Sequence, residues 1–239
     1  MPAAAIFSRR LRFPCYNAHV VAAKSLLAGV VLALGATGVA QADNPTVRIS
    51  PADQKRAEAA LLHLQDFGVG WTGGPRAPDK LTAPNCPGFD PKESDLVVTG
   101  HAEARFAYSR GGVTLAQDTQ VLESTKAVAT DFARTVRPKL ADCLAYQLKA
   151  SGKGQIVAVA IHKLGLGRIG SVSAAYRAQV TIRVNGRSVK LIRDFVFFGQ
   201  GRYEHSLVVD APTFQVAQLA SFETTIARIL VKRSTSGVA

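Results

Sequence analysis

The chain lacks an apolar run long enough to span a membrane. Its hydrophobic run, Ser25 to Ala40, has about 16 residues, whereas a spanning helix needs roughly 20. Residues 1–42 also lack acidic side chains, and they end in the small-x-small pattern Ala40-Gln41-Ala42. We therefore predict a cleaved secretory signal peptide at residues 1–42 and a single exported domain at residues 43–239. An uncleaved membrane anchor is the alternative. The four basic residues of this leader are Arg9, Arg10, Arg12 and Lys24.

Cysteine is scarce, and none follows the apolar run at the predicted cleavage point, which argues against a lipoprotein anchor. General secretion is the expected export route, although Ser8–Phe13 resembles a twin-arginine signal. Cleavage removes Cys15 and leaves Cys86 and Cys143 in a secreted or periplasmic envelope protein. In an oxidising compartment this pair predicts a disulfide, whose loop closure contributes ~4 kcal/mol in the chain-entropy model. A catalytic or metal-binding thiol is the alternative, but no histidine arrangement matches it.

Acidic residues are rare in the second half of the chain. After residue 148 there are only four, against 13 basic residues, and they are Asp194, Glu204, Asp210 and Glu223. The resulting positive field suits anionic envelope polymers or lipid headgroups, or it is simply a solvated basic sheet face. Nucleic acid is not expected as a partner, because the basic residues form no stripe interleaved with aromatics and the chain is exported.

Familiar catalytic spacings are missing. There is no G-x-S-x-G nucleophile motif, and His63, His101, His162 and His205 form no H-x-x-x-H or H-E-x-x-H pair that would bind zinc. Each histidine is interpreted as an ordinary surface or strand residue, and acids such as Glu103 and Asp118 as solvent-facing charges on strands. We therefore assign no catalytic residue, metal or cofactor, while a site assembled from distant residues remains open.

One glycine motif invites a nucleotide-binding interpretation. Residues 165–170 match G-x-G-x-x-G and follow an apolar strand. The motif binds pyrophosphate only when a helix begins at its end. The residues that follow, from Val172, instead alternate with period two, so we interpret the glycines as a turn between strands.

The clearest helix signal lies between Ser124 and Leu148. Its apolar residues recur every four positions, and Pro138 predicts a break near Arg137. A second helix is expected from Ser50, which is followed by Pro51 at the first helical position. A third, C-terminal helix follows Pro212, with a frayed tail at residues 234–239. The apolar positions of the helix between Ser124 and Leu148 are Val128, Phe132, Val136, Leu140 and Leu144.

Alternating residues predict the sheet. Residues 172–184 and 188–198 flank Asn185-Gly186, a favoured type I′ hairpin turn. This turn sets a register in which Tyr176 faces Phe195 and Arg177 faces Asp194. Further strands are expected at residues 96–108, 113–122, 155–164 (central in the sheet) and 203–209, with a loop at 72–91 that contains Cys86. The predicted fold class is α+β: a mostly antiparallel sheet with helices packed on one face and a single disulfide.

The phrase Leu61–Trp71, with Asp66, Phe67, Gly70 and Trp71, is followed by Cys86 and by a helix bearing Ala129, Phe132 and Cys143. On these residues the chain resembles actinobacterial exported proteins related to the extracellular sensor domain of PknH-type receptor kinases. It departs from them at Gly68, where the family often has proline, and in having one cysteine pair instead of two. The resemblance implies an α/β sandwich with a ligand cleft and no established catalytic residues.

The expected function is therefore non-catalytic: an exported, sensor-like domain that binds an unknown ligand in the cell envelope. Trp71 is expected in the core or as a lid, and the loop from Trp71 to Cys86 is where we expect a ligand. Two alternatives stay open. One is an envelope hydrolase with a dispersed site, and the other is an adaptor protein that docks through its basic sheet face.

Overall fold

The computed structural model of the chain describes residues 43–152 and 155–236. The predicted signal peptide, residues 1–42, lies outside these ranges, so its export role stays a prediction. Within the described ranges, no helix combines the length and the apolar character needed to cross a bilayer.

The core of the fold is one sheet of eight strands. The spatial order is β1-β3-β4-β8-β7-β6-β5, and β2 also pairs with β3. All pairings are antiparallel except that of β1 with β3. The strands are β1 (Thr46–Val47), β2 (Trp71–Arg76), β3 (Val97–Tyr108), β4 (Val113–Leu122), β5 (Ile156–Lys163), β6 (Val172–Val184), β7 (Arg187–Gln200) and β8 (Tyr203–Pro212). Together with the helices, this confirms the predicted α+β class.

In the described part of the chain, four α-helices pack on the sheet. They are α1 (Pro51–Ala59), α2 (Thr125–Thr135), α3 (Lys139–Ser151) and α4 (Val216–Ser236). The hydroxyl of Ser50 accepts a hydrogen bond from the backbone N–H of Asp53, and that of Ser124 accepts one from Ala127. Both serines therefore cap their helices as such residues commonly do. The predicted break is confirmed, because Pro138 separates α2 from α3.

The helices cover both faces of the sheet rather than the single face expected from the sequence. On β7, Val196 and Phe198 share a core with Ile226 of α4 and with α1. The intervening Phe195 points to the opposite side and packs with Leu140 of α3. Because neighbouring strand residues point to opposite faces, α1 and α4 cover one face, the α1/α4 face, and α2 and α3 cover the other, the α2/α3 face.

The β6–β7 hairpin has the predicted register. Tyr176 pairs with Phe195 and Arg177 pairs with Asp194. Asn185 and Gly186 have φ values of 49° and 76°, as a type I′ turn requires. The register matters because it places Phe195 and Phe197 of β7 on the α2/α3 face and Asp194 on the α1/α4 face.

Three local expectations are corrected. β5 is an edge strand with mostly exposed residues, not a central one, because an apolar run alone does not distinguish these positions. Trp71–Arg76, expected in a loop, extends along β3 as β2. Ser234 is not in a frayed tail: it belongs to α4 and is only 2% exposed.

The disulfide between Cys86 and Cys143 is confirmed, with Cα atoms 5.4 Å apart. It joins the segment between β2 and β3, residues 77–96, to α3. The same segment is held to α2, because Arg134 donates hydrogen bonds to both carboxylate oxygens of Asp95 and to the backbone oxygen of Lys92. Segment 77–96 is thus fastened to both helices of the α2/α3 face.

Candidate functional site

A cavity of about 340 Å³ lies between the α2/α3 face of the sheet and the elements that cover it. Segment 77–96 forms one wall, α2 and α3 form another, and β4, β7 and β8 form the floor. Its side chains include Leu81, Pro84, Glu93 and Leu96 from the segment, Asp131, Phe132, Thr135, Leu140 and Leu144 from the helices, and Asp118, Gln120, Phe195, Phe197, Glu204, Ser206 and Val208 from the sheet. We call this space the acidic cavity.

The close approach of α2 to the sheet depends on a glycine. A Cβ atom at Gly199 of β7 would lie 2.5 Å from Cγ1 of Val128 and 2.9 Å from Cγ2 of Val172. Both distances are shorter than real Cβ atoms tolerate. The missing side chain therefore lets α2 settle on β7 with Val128 fully buried, and this places the next turns of the helix, with Asp131 and Phe132, over the floor of the cavity.

Most of the cavity surface is apolar. Phe195 and Phe197, two residues apart on β7, present nearly parallel rings whose centroids are 6.4 Å apart. Leu140 and Leu144, one helical turn apart on α3, pack in the same core as Phe195. Such a surface suits the hydrocarbon or ring portion of a small molecule, because ligand pockets are lined mainly by apolar side chains with a few polar groups.

Four of the polar lining residues are carboxylic acids. Glu93, Asp118, Asp131 and Glu204 line the cavity, and the described lining contains no lysine or arginine. Two short hydrogen bonds hold the less buried acids: Thr135 Oγ1 donates to Asp131 Oδ1 at 2.9 Å, and Gln120 Nε2 donates to Asp118 Oδ1 at 3.2 Å. The acids come from four separate elements, so their proximity arises from the fold and not from local sequence.

Glu204 and Asp131 form a carboxyl–carboxylate pair. Burial, followed by the charge of Asp131 and a hydrogen bond to it, raises the pKa of Glu204 well above its ordinary value. Glu204 Oε1 is enclosed and has no hydrogen-bond partner among the described residues. Burial and the neighbouring charge of Asp131 both favour the protonated form of Glu204.

Glu93 is also perturbed. It is 8% exposed, and burial together with the nearby carboxylates of Asp131 and Asp43 raises its pKa to about 8. Arg134 opposes this shift but is already engaged by Asp95. Raised pKa values in a cavity are a feature of functional sites, although ion-pair networks in ordinary cores also produce them.

Beside the cavity, His101, Glu103 and Asp118 form the group of described residues best placed to hold a metal ion. One potential ligand atom from each lies within 4.8 Å of the others. His101 Nε2 is 2.6 Å from Asp118 Oδ2 and 4.0 Å from Glu103 Oε1. Glu103 is buried, not solvent-facing as expected, and it already accepts a hydrogen bond from the backbone N–H of Asp79. These contacts describe a histidine–carboxylate ion pair more directly than a metal cage.

Two of the remaining histidines lie outside the cavity lining, and the third, His205, lines it but is held by other side chains. His63 and His162 are exposed, as expected. His205 is instead buried: its Nδ1 is 3.0 Å from Thr119 Oγ1 and its Nε2 is 2.8 Å from Ser234 Oγ. Burial lowers the pKa of His205 to about 3, so it stays neutral. No carboxylate of the described chain hydrogen-bonds this histidine, so the buried Ser234–His205 contact lacks the acid and the access that a hydrolase nucleophile needs.

The other sequence candidates have structural roles. Trp71 stacks on Phe67 and Phe222, with ring centroids 4.7 and 5.5 Å apart, in the core of the α1/α4 face. The glycine motif at residues 165–170 is followed by β6 rather than by a helix, which confirms the turn interpretation. The acids of the cavity were missed, because no spacing in the sequence links residues 93, 131 and 204.

No protein-family model matches the chain, and no curated protein matches its sequence. The resemblance to PknH-type sensor domains therefore stays a prediction. The residues that carry the resemblance in Leu61–Trp71 have structural roles in this fold. Asp66 accepts hydrogen bonds of 2.8 Å from both terminal nitrogens of Arg233 on α4, and Phe67 stacks on Trp71. These residues fasten α4 to the segment that leads into β2.

Proposed function

We propose that this protein is an exported, non-catalytic binding domain that holds a small molecule of the cell envelope in the acidic cavity. The observation that carries the proposal is the cavity itself: its apolar walls include phenylalanine rings, and among its acids Glu204 has a buried oxygen without a hydrogen-bond partner in the described residues. Binding sites of small molecules combine these two features. Export rests on the leader sequence, and a sensor-like role rests on the resemblance to PknH-type domains.

The construction of the walls supports a binding role. Segment 77–96 is held by the disulfide to α3 and by Arg134 to α2. A wall that is fixed before the ligand arrives loses less conformational entropy when the ligand binds. The segment between Trp71 and Cys86, expected from the sequence to contact a ligand, contributes Leu81 and Pro84 to the lining.

Filling the cavity tests the proposal. Ser206 lies on the floor, opposite Phe197 on β7 and Asp118 on β4. Ser206→Phe should occupy the cavity with a ring, whereas Ser206→Ala leaves it open. In a thermal-shift and calorimetric screen of envelope glycans, lipids and peptides, we expect a ligand that binds wild type and Ser206→Ala but loses at least about tenfold in affinity for Ser206→Phe, a change of about 1.4 kcal/mol. A ligand that binds all three equally contradicts the proposed site.

One observation favours a hydrolase instead. The Asp131–Glu204 pair brings two acids together, and burial and Asp131 raise the pKa of Glu204; general acid–base catalysis uses pairs of acids whose pKa values are pushed apart. Turnover of an envelope glycan or peptide that is abolished by Asp131→Asn would establish this alternative. Ligand binding without turnover supports the non-catalytic role.

Another observation favours an adaptor role. The tip of the β6–β7 hairpin exposes Val184 and Val189, each 40% exposed, beside the exposed Arg183, Arg187 and Lys190. Apolar and basic side chains together suit an anionic surface. Salt-sensitive sedimentation with vesicles containing anionic lipid, lost in Arg187→Ala/Lys190→Ala, would support docking through this tip.

A further inference from the structure

The charge of the acidic cavity is opposite to that of the chain. The sequence has 29 lysines and arginines against 17 acids. The described lining nevertheless contains four acids and no basic residue that is charged at neutral pH. Asp118 pairs with His101, which lies beside the cavity. Glu93 and Glu204 have no lysine or arginine in the described lining to pair with, although the chain is rich in both.

Two carboxyl groups in the cavity can accept hydrogen bonds that no described residue donates. Glu93 is more than nine-tenths buried, lines the cavity, and makes no side-chain hydrogen bond with a described residue. Glu204 Oε1 is likewise enclosed without a partner. Buried polar atoms are almost always hydrogen-bonded in folded proteins, and leaving them unpaired is costly. The unpaired oxygen of Glu204, together with Glu93 in the same cavity, therefore points to a bound molecule that donates hydrogen bonds.

We infer that the acidic cavity binds an organic cation, a protonated amine that carries an apolar body. The ammonium group lies among Glu93, Asp131 and Glu204, and the apolar body packs against Phe132, Phe195 and Phe197. This assignment rests on the proposed function, since it names the ligand class of the same cavity. An ammonium group has three N–H donors for the acceptor oxygens of these acids, and the aromatic rings supply the contact area for the body.

Other ligand classes fit less well. A bare metal ion needs ligand atoms close together, and among the described residues only His101, Glu103 and Asp118 bring three within 4.8 Å. Glu93, Asp131 and Glu204 are more widely spaced, which suits an organic head with several N–H donors. An anionic ligand would be repelled by Asp131, and a simple alcohol offers one donor to several acceptors.

A matched series of ligands tests the head group separately from the body. We would titrate the protein calorimetrically with 4-phenylbutylamine, 4-phenylbutanol and 4-phenylbutanoate, which share one apolar body. The amine should bind at least about tenfold more tightly than the alcohol, and the carboxylate should bind most weakly. Glu93→Gln and Glu204→Gln should each lower the affinity for the amine by about tenfold, and they should change the affinity for the alcohol by less than about threefold. Asp142→Asn, at an exposed acid of α3, should change neither.

The outcomes separate the two proposals. Equal or tighter binding of the alcohol or carboxylate overturns the amine assignment and leaves the binding function standing. Binding of none of the three also overturns the assignment, and the screen with Ser206→Phe then decides the function independently. Circular dichroism first verifies that both glutamine variants fold. If both then bind the amine as tightly as wild type does, the carboxyl groups are not the recognition element.

Discussion

Glu93 shows how a single buried acid couples the cavity to pH. Its pKa is about 8 in the folded chain, because of burial and of the charges on Asp131 and Asp43, against an ordinary value of 4.5. Between these values the folded protein keeps a proton that the unfolded chain has lost. Stability therefore falls as the pH rises through this window, by about 1.4 kcal/mol for each unit of pKa difference.

Glu93→Gln should remove this dependence. We expect its unfolding free energy, measured by urea denaturation at pH 5, 6.5 and 8, to fall less with pH than that of wild type. Glu123→Gln, at an exposed acid, is the matched control and should follow wild type. Parallel pH profiles for wild type and Glu93→Gln would show that Glu93 ionises normally in the folded protein.

Arg177 illustrates a charge whose role is structural. Its Nε lies 2.8 Å from Asp194 Oδ1, and Asp194 is fully buried under α4. Glu223 of α4 is also fully buried, and burial followed by the influence of Asp194 raises the pKa of Glu223 to about 9. Glu223 is thus neutral at pH 7, and Arg177 supplies the only positive charge that contacts Asp194 among the described residues.

Removal of Arg177 should be far more costly than removal of a surface arginine. Arg177→Met leaves Asp194 buried without its cation, and we expect a loss of about 3–5 kcal/mol in unfolding free energy. Arg105→Met, which breaks the exposed pair with Asp79, should cost no more than about 1 kcal/mol. Similar losses in both variants, measured by chemical denaturation, would contradict this account.

Among the elements, segment 77–96 depends most on a single covalent link. Without the bridge, the unfolded chain gains the entropy of an open loop of 57 residues. Cys143→Ser should therefore lower the free energy of unfolding by up to about 4 kcal/mol. It should also speed tryptic cleavage after the exposed Lys80 and Lys92. Cys86→Ser and the double variant should match it. Unchanged stability under oxidising conditions would refute a structural role for the bridge.

Elements with a local signal could be predicted from the sequence. The β6–β7 hairpin follows from period-two alternation and Asn185-Gly186, and the break between α2 and α3 follows from Pro138. The disulfide followed from elimination, since removal of the leader leaves one cysteine pair. In each case the information lies within a few residues or in a count, and no knowledge of distant contacts is needed.

Properties that depend on distant contacts could not be predicted. The acids of the cavity come from segment 77–96, β4, α2 and β8, and no sequence spacing brings them together. The position of α2 and α3 opposite α4 depends on which face of β7 each helix covers, and both faces of that strand are apolar. Burial of Asp194 and Glu103 likewise depends on what packs above the sheet, which alternation along a strand does not reveal.

At the scale of the whole molecule, the two faces of the sheet have different roles. The α1/α4 face is a closed core, with Trp71, the His205 contacts and the Arg177–Asp194 pair all serving stability. The α2/α3 face is incompletely filled and contains the acidic cavity. A domain with a closely packed core on one face of its sheet and a cavity on the other can bind a ligand without a rearrangement of that core.

The most direct test of this account is to map ligand contacts by NMR on isotope-labelled protein, with the tightest ligand from the screen or with 4-phenylbutylamine. The account predicts chemical-shift changes at cavity residues such as Phe132, Phe195 and Ser206, with little change at Ile226 and Leu230 beneath α4. Changes confined to the tip of the β6–β7 hairpin, or to the α1/α4 face, would contradict a binding site in the acidic cavity.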